Sequence, residues 1–550
     1  MSKQILVLLY GCLALVYLTG LFIPLMENDS AQHASMAMQM ILNDDYLHLY
    51  RGLKEYLDKP HMHFWLAALS YKIFGISDWA YRIPALLFTM LGAFSTFSLA
   101  KDFYGKKAGH LASLIFLSAQ AIILANHDVR TDAVLTGASI FSIWQLVRYI
   151  DHEKIKNAVL GSLALGVAFS TKGQLAIFIV GSALLCYLLY NRRWKVAFSW
   201  KVVAGAAAFL LASTPMLYAY YVQFDSIPDK IVNGQTNVSG IKFIFWDQSF
   251  NRMTGSGFES NHTDYFFFFH TMLWAFLPWA LITYFGIFDR TRQFIKIRFK
   301  YVSGMEFLTV GGFWLTMFIM NMSKSKLPHY MNSLFPVLAV LLAGYLVYLG
   351  NKEKIKKINI LLYIQYFIVA LSSILIIFII FYVFKVNFFL IFCSALLFIL
   401  MGYFLVTQKA SIHKIVIVTV LLSVFVNFTL NTQFYPNLLK YQGGVNISEL
   451  IKQENINTDD IFILEDGYSW SMNIYTQRVT PSLNLEEVNE NKGKWILVYD
   501  RDMEKLKSEQ IQWDKSYTVP HYRITMLSAD FLNPNTREGV LRKVYLLRIS

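Results

Sequence analysis

The chain has 550 residues, of which 55% are hydrophobic and 15% are charged, and its mean hydropathy is +0.42. Soluble globular proteins carry about 25% charged residues, so this composition excludes a water-soluble protein for most of the chain. The net charge of +13 comes from basic residues clustered in short loops between apolar runs, which indicates topogenic charge and excludes a nucleic-acid partner.

Apolar runs long enough to span a hydrocarbon core recur from the N-terminus to about residue 430. Inside lipid a backbone must satisfy its own hydrogen bonds, so each run predicts a membrane-spanning helix. The sequence therefore predicts a mostly α-helical, polytopic membrane protein with about thirteen such helices. The predicted spans are residues 5–23, 82–100, 108–125, 132–150, 157–171, 174–190, 201–222, 270–288, 304–322, 329–349, 358–384, 387–407 and 412–430.

The loops between these spans alternate in charge. The basic loops are residues 101–107, 152–156, 191–195, 290–300, 352–357 and 409–414, and all fall on the same side as the N-terminus. Basic loops mark the cytoplasmic face, so the N-terminus is predicted to be cytoplasmic in a bacterial inner membrane. The loops 24–81 and 223–269 and the tail 431–550 are then periplasmic.

Loop 24–81 is amphipathic. Its apolar stretches around residues 34–42 and 64–74 predict two interfacial helices that lie along the outer leaflet. An extra pair of spans through residues 62–75 is the alternative, and the shortness of that run disfavours it.

The composition changes sharply after residue 430. Short apolar strands at residues 460–464, 494–499 and 544–549 alternate with polar stretches, which predicts a small α/β domain. We therefore divide the chain into a membrane domain, residues 1–430, and a soluble periplasmic domain, residues 431–550.

Four ionisable residues lie at the predicted outer boundary of the membrane. Asp29 follows the first span, Lys59 lies in the first periplasmic loop, and Arg82 and Asp132 open the second and fourth spans. Ionisable groups near membrane depth are costly and usually functional, although each one alone could be a snorkelling charge. A carboxylate could act as a general base, and cations could stabilise the charge on a departing phosphate.

Several ordered motifs carry a family resemblance over about residues 1–430. They are Asp29 after the first span, Asn43-Asp44-Asp45-Tyr46, Asp58-Lys59-Pro60-His61-Met62-His63, Phe74-Gly75-Ile76-Ser77-Asp78-Trp79-Ala80-Tyr81-Arg82, Asp128-Val129-Arg130-Thr131-Asp132, Leu277-Pro278-Trp279 and Ser325-Lys326-Leu327-Pro328-His329-Tyr330. In this order the sequence resembles the C-type (GT-C), polyprenyl-phosphate-dependent glycosyltransferases, in particular the lipid A aminoarabinose transferase and protein O-mannosyltransferase-like group.

The resemblance implies an inverting enzyme with a periplasmic active site that transfers a sugar from an undecaprenyl-phosphate carrier to an envelope acceptor. A lipid A-like glycolipid is the expected acceptor, with a protein or another glycan as alternatives. Asp29 and Asp132 match the family's catalytic acidic positions, and Lys59 and Arg82 match donor-phosphate contacts.

The resemblance also implies a possible divalent metal, zinc or else magnesium or manganese. The matching positions are Asp58, His262 and Tyr330. Asp, His and Tyr side chains offer donors that suit zinc.

Two departures from the family pattern affect these expectations. The chain has Asp29-Ser30 where Asp-Glu is usual, which puts acceptor class and rate in question. It also has Thr263-Asp264-Tyr265 where proline is common, in a loop expected to meet the donor headgroup or the acceptor.

Three other functions remain open from the sequence. A transporter or flippase for lipid-linked sugars is disfavoured because the mid-span positions are nearly free of charge and no repeat pairs the two halves. A non-catalytic membrane anchor for the tail predicts that the aspartates are dispensable. A glycan polymerase or ligase would share the lipid carrier and differ in its acceptor.

Overall fold

A computed structural model describes residues 1–27, 29–227, 229–232, 234–255, 264–385, 387–465 and 467–550. Helices dominate the chain as far as Tyr441, as the long apolar runs predict. These helices are α1 (Lys3–Leu21), α2 (Asp29–Leu42), α3 (Met62–Phe74), α4 (Asp78–Tyr104), α5 (Lys106–Leu117), α6 (Gln120–Leu124), α7 (Asp132–His152), α8 (Ile155–Lys172), α9 (Gln174–Asn191), α10 (Lys201–Tyr220), α11 (Gly240–Lys242), α12 (Gln248–Thr254), α13 (Phe267–Ala275), α14 (Ala280–Lys296), α15 (Leu308–Met322), α16 (Phe335–Asn351), α17 (Ile355–Phe378), α18 (Phe388–Thr407), α19 (Ile412–Thr429) and α20 (Tyr435–Leu438).

Nine helices in the described part of the chain are long and apolar enough to cross a membrane, so the chain is a multi-pass membrane protein. These nine are Lys3–Leu21, Asp78–Tyr104, Asp132–His152, Gln174–Asn191, Lys201–Asp225, Pro328–Asn351, Ile355–Val383, Phe388–Thr407 and Ile412–Tyr441. The other predicted spans coincide with helices that are shorter, interrupted or less apolar, namely α5 with α6, α8, α13 with α14, and α15. The count of thirteen therefore stays a prediction.

The first long loop contains the two predicted helices, α2 and α3, joined through a short hairpin of β1 (Tyr50–Arg51) and β2 (Lys54–Glu55). Helix α3 has 13 residues, so it is about 20 Å long and too short to cross a bilayer. Its buried face packs Phe64 and Ala68 against Met36 and Met40 of α2. The loop is thus an ordered layer over the membrane helices, and its position at the outer leaflet stays a prediction.

The tail forms the predicted α/β domain around a five-stranded sheet with strand order β4-β3-β5-β7-β6. Its strands are β3 (Ile461–Leu464), β4 (Ser482–Leu483), β5 (Trp495–Tyr499), β6 (Trp513–His521) and β7 (Arg542–Ile549), and its helices are α21 (Gly443–Gln453), α22 (Trp470–Thr476), α23 (Met503–Ser508) and α24 (Ala529–Leu532). Strands β4, β3 and β5 are parallel, and β5, β7 and β6 are antiparallel. Both faces of the sheet are covered by apolar clusters.

Hydrogen bonds fix the tail domain to the segment between α1 and α2. The Gln442 side chain accepts from the Glu27 backbone N–H at 2.9 Å and donates to the Leu25 carbonyl at 2.8 Å. The Ser471 N–H and hydroxyl donate to Oε1 of Glu27 at 2.9 and 2.7 Å. The Tyr475 hydroxyl accepts from the Leu25 N–H at 2.9 Å. The tail is therefore part of the architecture around Asp29.

A second contact holds the tail against the segment that follows α17. The Arg537 guanidinium donates to the Val383 carbonyl at 2.6 Å and lies over the rings of Phe384, Tyr441 and Phe531, 4.6 to 5.6 Å from their centres. Cation–π contacts of this kind contribute about 0.5–2 kcal/mol each. Two separate contacts restrict rotation of the domain more than one would.

Glu27 gives a pH-dependent test of this junction. Burial raises the pKa of the Glu27 carboxyl to about 7, against weaker lowering by hydrogen bonds from Ser471 and Ser469. A carboxyl pKa raised in the folded state means that stability is fully present below the unfolded value and is lost as the pH rises towards 7. We expect Glu27→Gln to leave the melting temperature unchanged at pH 4.5 and to raise it at pH 8, with a free-energy gain of as much as about 3 kcal/mol. Thermal unfolding of the detergent-solubilised protein between pH 4.5 and 8 measures this.

The exposed Glu509 of the tail provides the matched control, since Glu509→Gln removes a carboxylate outside the junction. If the melting temperatures of Glu27→Gln and the wild type changed in parallel across the pH range, the raised pKa of Glu27 would be contradicted.

Candidate functional site

Asp29 begins α2, where the positive end of the helix dipole stabilises a carboxylate. Its side chain is 48% exposed, so it is open to solvent. The Arg130 guanidinium lies 2.9 Å from Oδ2 of Asp29 through Nη1. The carboxylate is thus both accessible and held in place from one side.

Arg130 joins two carboxylates that are far apart in sequence. Its Nη2 and Nε donate to Oδ2 of Asp128 at 2.7 and 3.2 Å, while Nη1 faces Asp29. Burial alone would lower the pKa of Arg130, but the negative charges of Asp128, Asp29 and Asp132 outweigh burial and raise it. Arg130 is therefore a permanent cation, and it fixes the direction in which the Asp29 carboxylate points.

Asp132 begins α7 and is buried beneath this pair. Its Oδ1 lies 2.5 Å from the Nζ of Lys172, the last residue of α8, and both side chains are only 4% exposed. His329 adds a further electrostatic interaction with Asp132. This buried ion pair joins the start of α7 to the end of α8.

A cavity of about 100 Å³ brings together Lys59, Lys172 and Tyr330. Most of its wall is apolar, with Leu175, Phe178, Met253, Phe268, Ile319 and Met320. The Lys172 ammonium lies 4.7 Å from the centre of the Tyr330 ring. Two ammonium groups within an apolar wall match the chemistry of a lipid that carries a phosphate.

The phosphate contact predicted at Arg82 stays a prediction, and the position of its side chain points to a structural role. The Arg82 side chain is completely buried, and its guanidinium donates to the backbone carbonyls of His127 at 3.0 Å, Leu21 at 3.0 Å and Pro24 at 3.3 Å, and to that of Ile23. These carbonyls occupy four of the five guanidinium N–H donors, and the side chain has no exposed surface on which to receive a phosphate. Arg82 instead shapes the turn that leads from α1 to Asp29.

The predicted metal site is only partly described. The Asp58 carboxylate pairs with the ammonium of Lys59, and the Lys172 ammonium lies over Tyr330, while His262 falls outside the described residues. Cations beside both described candidates do not fit a divalent metal ion. No group of three or more His, Cys, Asp or Glu that could hold a metal occurs within the described ranges. A metal requirement stays a prediction.

Sequence reasoning assigned no role to Arg130, Lys172 or His329. The sequence offered a signal for Arg130 and His329, because each lies inside a motif that carries another candidate residue. Lys172 had its own signal, since it is a cation at the predicted periplasmic end of an apolar span, against the charge rule for that face. That placement indicates a fixed counter-charge, and Asp132 is its partner.

Comparisons with known proteins agree with this architecture. Residues 58–218 match the family described as dolichyl-phosphate-mannose-protein mannosyltransferase. The undecaprenyl phosphate-alpha-4-amino-4-deoxy-L-arabinose arabinosyl transferase of Edwardsiella ictaluri is 26% identical over 349 residues, 61% of this chain and 58% of that protein. A second transferase of that name from Pseudomonas fluorescens is 28% identical, over 62% of this chain and 60% of the relative. The match thus spans less than two thirds of either relative.

The fold is similar to that of ArnT from Cupriavidus metallidurans, whose crystal structure with undecaprenyl phosphate gives a TM-score of 0.74 at 17% identity, over 100% of this chain and 98% of that one. The apo form of the same protein gives a TM-score of 0.72. The expected resemblance to GT-C, ArnT-like glycosyltransferases is confirmed. With the nine apolar helices, it supports a multi-pass inner-membrane protein.

The Asp132–Lys172 pair allows a direct energetic test. Asp132→Asn or Lys172→Met leaves one buried charge without its partner, which costs about 3–5 kcal/mol. The double variant removes both charges, so we expect it to unfold at a higher temperature than either single variant. Melting temperatures of the four purified proteins measure the coupling. Additive losses in the double variant would show that the pair is not coupled.

Proposed function

We propose that the chain is an inverting glycosyltransferase of the bacterial inner membrane. It transfers a sugar from an undecaprenyl-phosphate carrier to an envelope acceptor at the periplasmic face. The preferred acceptor is a lipid A-like glycolipid, and a protein or another glycan is the alternative. The observation that carries the proposal is the mostly apolar cavity lined by Lys59 and Lys172, beside a site where Arg130 joins Asp29 to Asp128 and Lys172 pairs with Asp132.

The cavity supports the donor half of the reaction. A polyprenyl phosphate has a long apolar tail and an anionic head, and the apolar wall and the two lysines match these two parts. When the bond from the sugar to the phosphate breaks, negative charge develops on the leaving phosphate. The ammonium groups of Lys59 and Lys172 stabilise that charge, which is the largest contribution a fixed site can make.

Asp29 supports the acceptor half. Its carboxylate is half-exposed, contacts Arg130, and lies at a helix N-terminus. In the proposed step it accepts the proton of an acceptor hydroxyl as that oxygen attacks the anomeric carbon from the face opposite the phosphate. Attack from the opposite face inverts the configuration at that carbon. Asp132 pairs with the Lys172 ammonium and orients it, so it is a positioning residue.

The domains divide this work. Residues 1–430 form the catalytic membrane domain and present the donor cavity, and the tail, residues 431–550, borders the acceptor side through its contacts with Glu27. Transport of the same carrier is the competing function, because a flippase would also need the cavity. The charged residues of the site lie at one end of the helices and not along a path through them, which favours transfer over transport.

Asp29→Asn tests the transfer itself. The amide is isosteric and cannot accept the proton, so we expect turnover to fall by about 10²–10⁴-fold with little change in melting temperature. Mass spectrometry of lipids and envelope glycans in cells lacking the gene, complemented with wild type or variant, measures the product. A lost sugar on one envelope species, with its polyprenyl-phosphate precursor accumulating, is the expected profile.

The matched control is Asp44→Asn, at an exposed position of the same outer loop whose φ of 49° an asparagine also tolerates. Normal product in the Asp29→Asn strain would exclude Asp29 as the base. An unchanged profile in cells lacking the gene altogether would favour the transport or anchor functions.

Variants of Lys59 and Arg82 distinguish a role in catalysis from a role in folding. We expect Lys59→Gln to reduce turnover by about 10²–10³-fold and weaken carrier-lipid binding while the protein stays folded. Arg82→Gln leaves four buried carbonyls without their donor, so it should lower the melting temperature and the yield of folded protein. We compare the two variants by their activity per folded molecule and their affinity for the carrier lipid. A stable, correctly folded Arg82→Gln protein with weak carrier binding would support the phosphate role.

A further inference from the structure

A second cavity, of about 500 Å³, lies in the tail domain where it meets the segment before α2. Glu27 and Gln442 form its floor, and the ends of β5, β6 and β7 supply much of its wall, including Tyr499, His521 and Arg542. The donor cavity shares none of these residues. Its location joins the tail to the segment that carries Asp29.

The side chains around this second cavity are predominantly basic. Arg501, Arg523, Arg542 and Lys543 line it, against the acidic Glu27 and Asp500. Arg501 pairs with the neighbouring Asp502 at 3.1 Å. Arg523, Arg542 and Lys543 make no ion pair with an acidic side chain of the described residues. Basic side chains at a surface are usually solvated separately, whereas these converge on one concave surface, as an anion site requires.

Glu27 provides an independent indication of a ligand. Its Oε1 accepts from Ser471, whereas its Oε2 is buried and has no hydrogen-bond partner among the described residues. A buried oxygen without a partner is costly, and Glu27 lines the cavity, so a ligand there that donates to the Glu27 carboxyl would remove this cost. The ligand that fits has anionic groups towards the arginines and a hydroxyl or amine towards Glu27.

We propose that this second cavity is a subsite for the phosphate-bearing polar headgroup of the acceptor. The proposal rests on the proposed function, because it assigns the acceptor side of that reaction. Arginine side chains hold phosphate oxygens in bidentate pairs, and Arg523 and Arg542 line the cavity. Glu27 is two residues from Asp29, so their Cα atoms are at most about 8 Å apart. A headgroup bound at Glu27 therefore presents its neighbouring hydroxyl to the base.

Binding of a simple anion tests the subsite without relying on transfer. The protein is reconstituted in nanodiscs of phosphatidylcholine, and inorganic pyrophosphate is titrated by calorimetry at 150 mM salt. We expect the double variant Arg523→Gln/Arg542→Gln to lose at least about tenfold in affinity, since it removes two charge-assisted contacts. The matched control is Arg548→Gln, which removes a cation from the same strand but outside the cavity. Equal losses in the control and the double variant, or no binding by the wild type, would overturn the proposal.

A second arm distinguishes a membrane lipid from a soluble ligand as the source of the phosphate. The titration is repeated in nanodiscs that contain phosphatidic acid. Weaker pyrophosphate binding there shows that lipid headgroups compete for the cavity, and unchanged binding assigns the subsite to a ligand from the aqueous side.

Transfer assays on the same preparations separate this inference from the proposed function. We expect the double variant to raise the KM for the acceptor at least about tenfold with little change in kcat, because it weakens binding remote from the reacting atoms. Transfer by the double variant with an unchanged acceptor KM would contradict the subsite but not the proposed transferase activity. Specific pyrophosphate binding without any transfer by the wild type would support an anion site but contradict the transferase activity.

Discussion

Ionised carboxylates at the edge of an apolar helix bundle need counter-charges, and two cations meet this requirement for the whole site. Arg130 pairs with both Asp29 and Asp128, and Lys172 pairs with Asp132. Removing a carboxylate from water without a partner would cost several kcal/mol, and the acid would then take up a proton. Because both cations are held in place, the carboxylates point in set directions, which is what a base and a lysine-orienting group need.

The two cations also bring distant parts of the chain together. Arg130 precedes α7 and holds the start of α2, while Lys172 ends α8 and holds the start of α7. Each pair acts at a helix terminus, where unpaired backbone groups already favour charge of one sign. The arrangement of the charged side chains is consequently determined by how the helix ends meet. The apolar spans set only the distance between those ends.

The sequence was sufficient for the parts of this arrangement that follow from periodicity and polarity. Apolar runs placed the helices, alternation placed the strands of the tail, and Asp29, Lys59 and Asp132 were singled out because charges near a membrane are rare. The sequence could not show that Arg82 is buried among backbone carbonyls, because an arginine bound to carbonyls and one bound to phosphate have the same local sequence. Arg130, Lys172 and Glu27 depend on contacts between residues that are far apart in the chain, and those contacts exist only after the helices pack.

The position of Asp29 is determined from both sides of the turn that carries it. On the membrane side, Arg82 collects the carbonyls of Leu21, Ile23 and Pro24 and prevents the turn from straightening. On the water side, Gln442 and Ser471 hold Glu27. A base must stay within a few tenths of an ångström of its productive position to act well, and a free loop could not provide this. The docked tail domain therefore contributes to the geometry of the site, although the cation that contacts Asp29 directly, Arg130, belongs to the membrane domain.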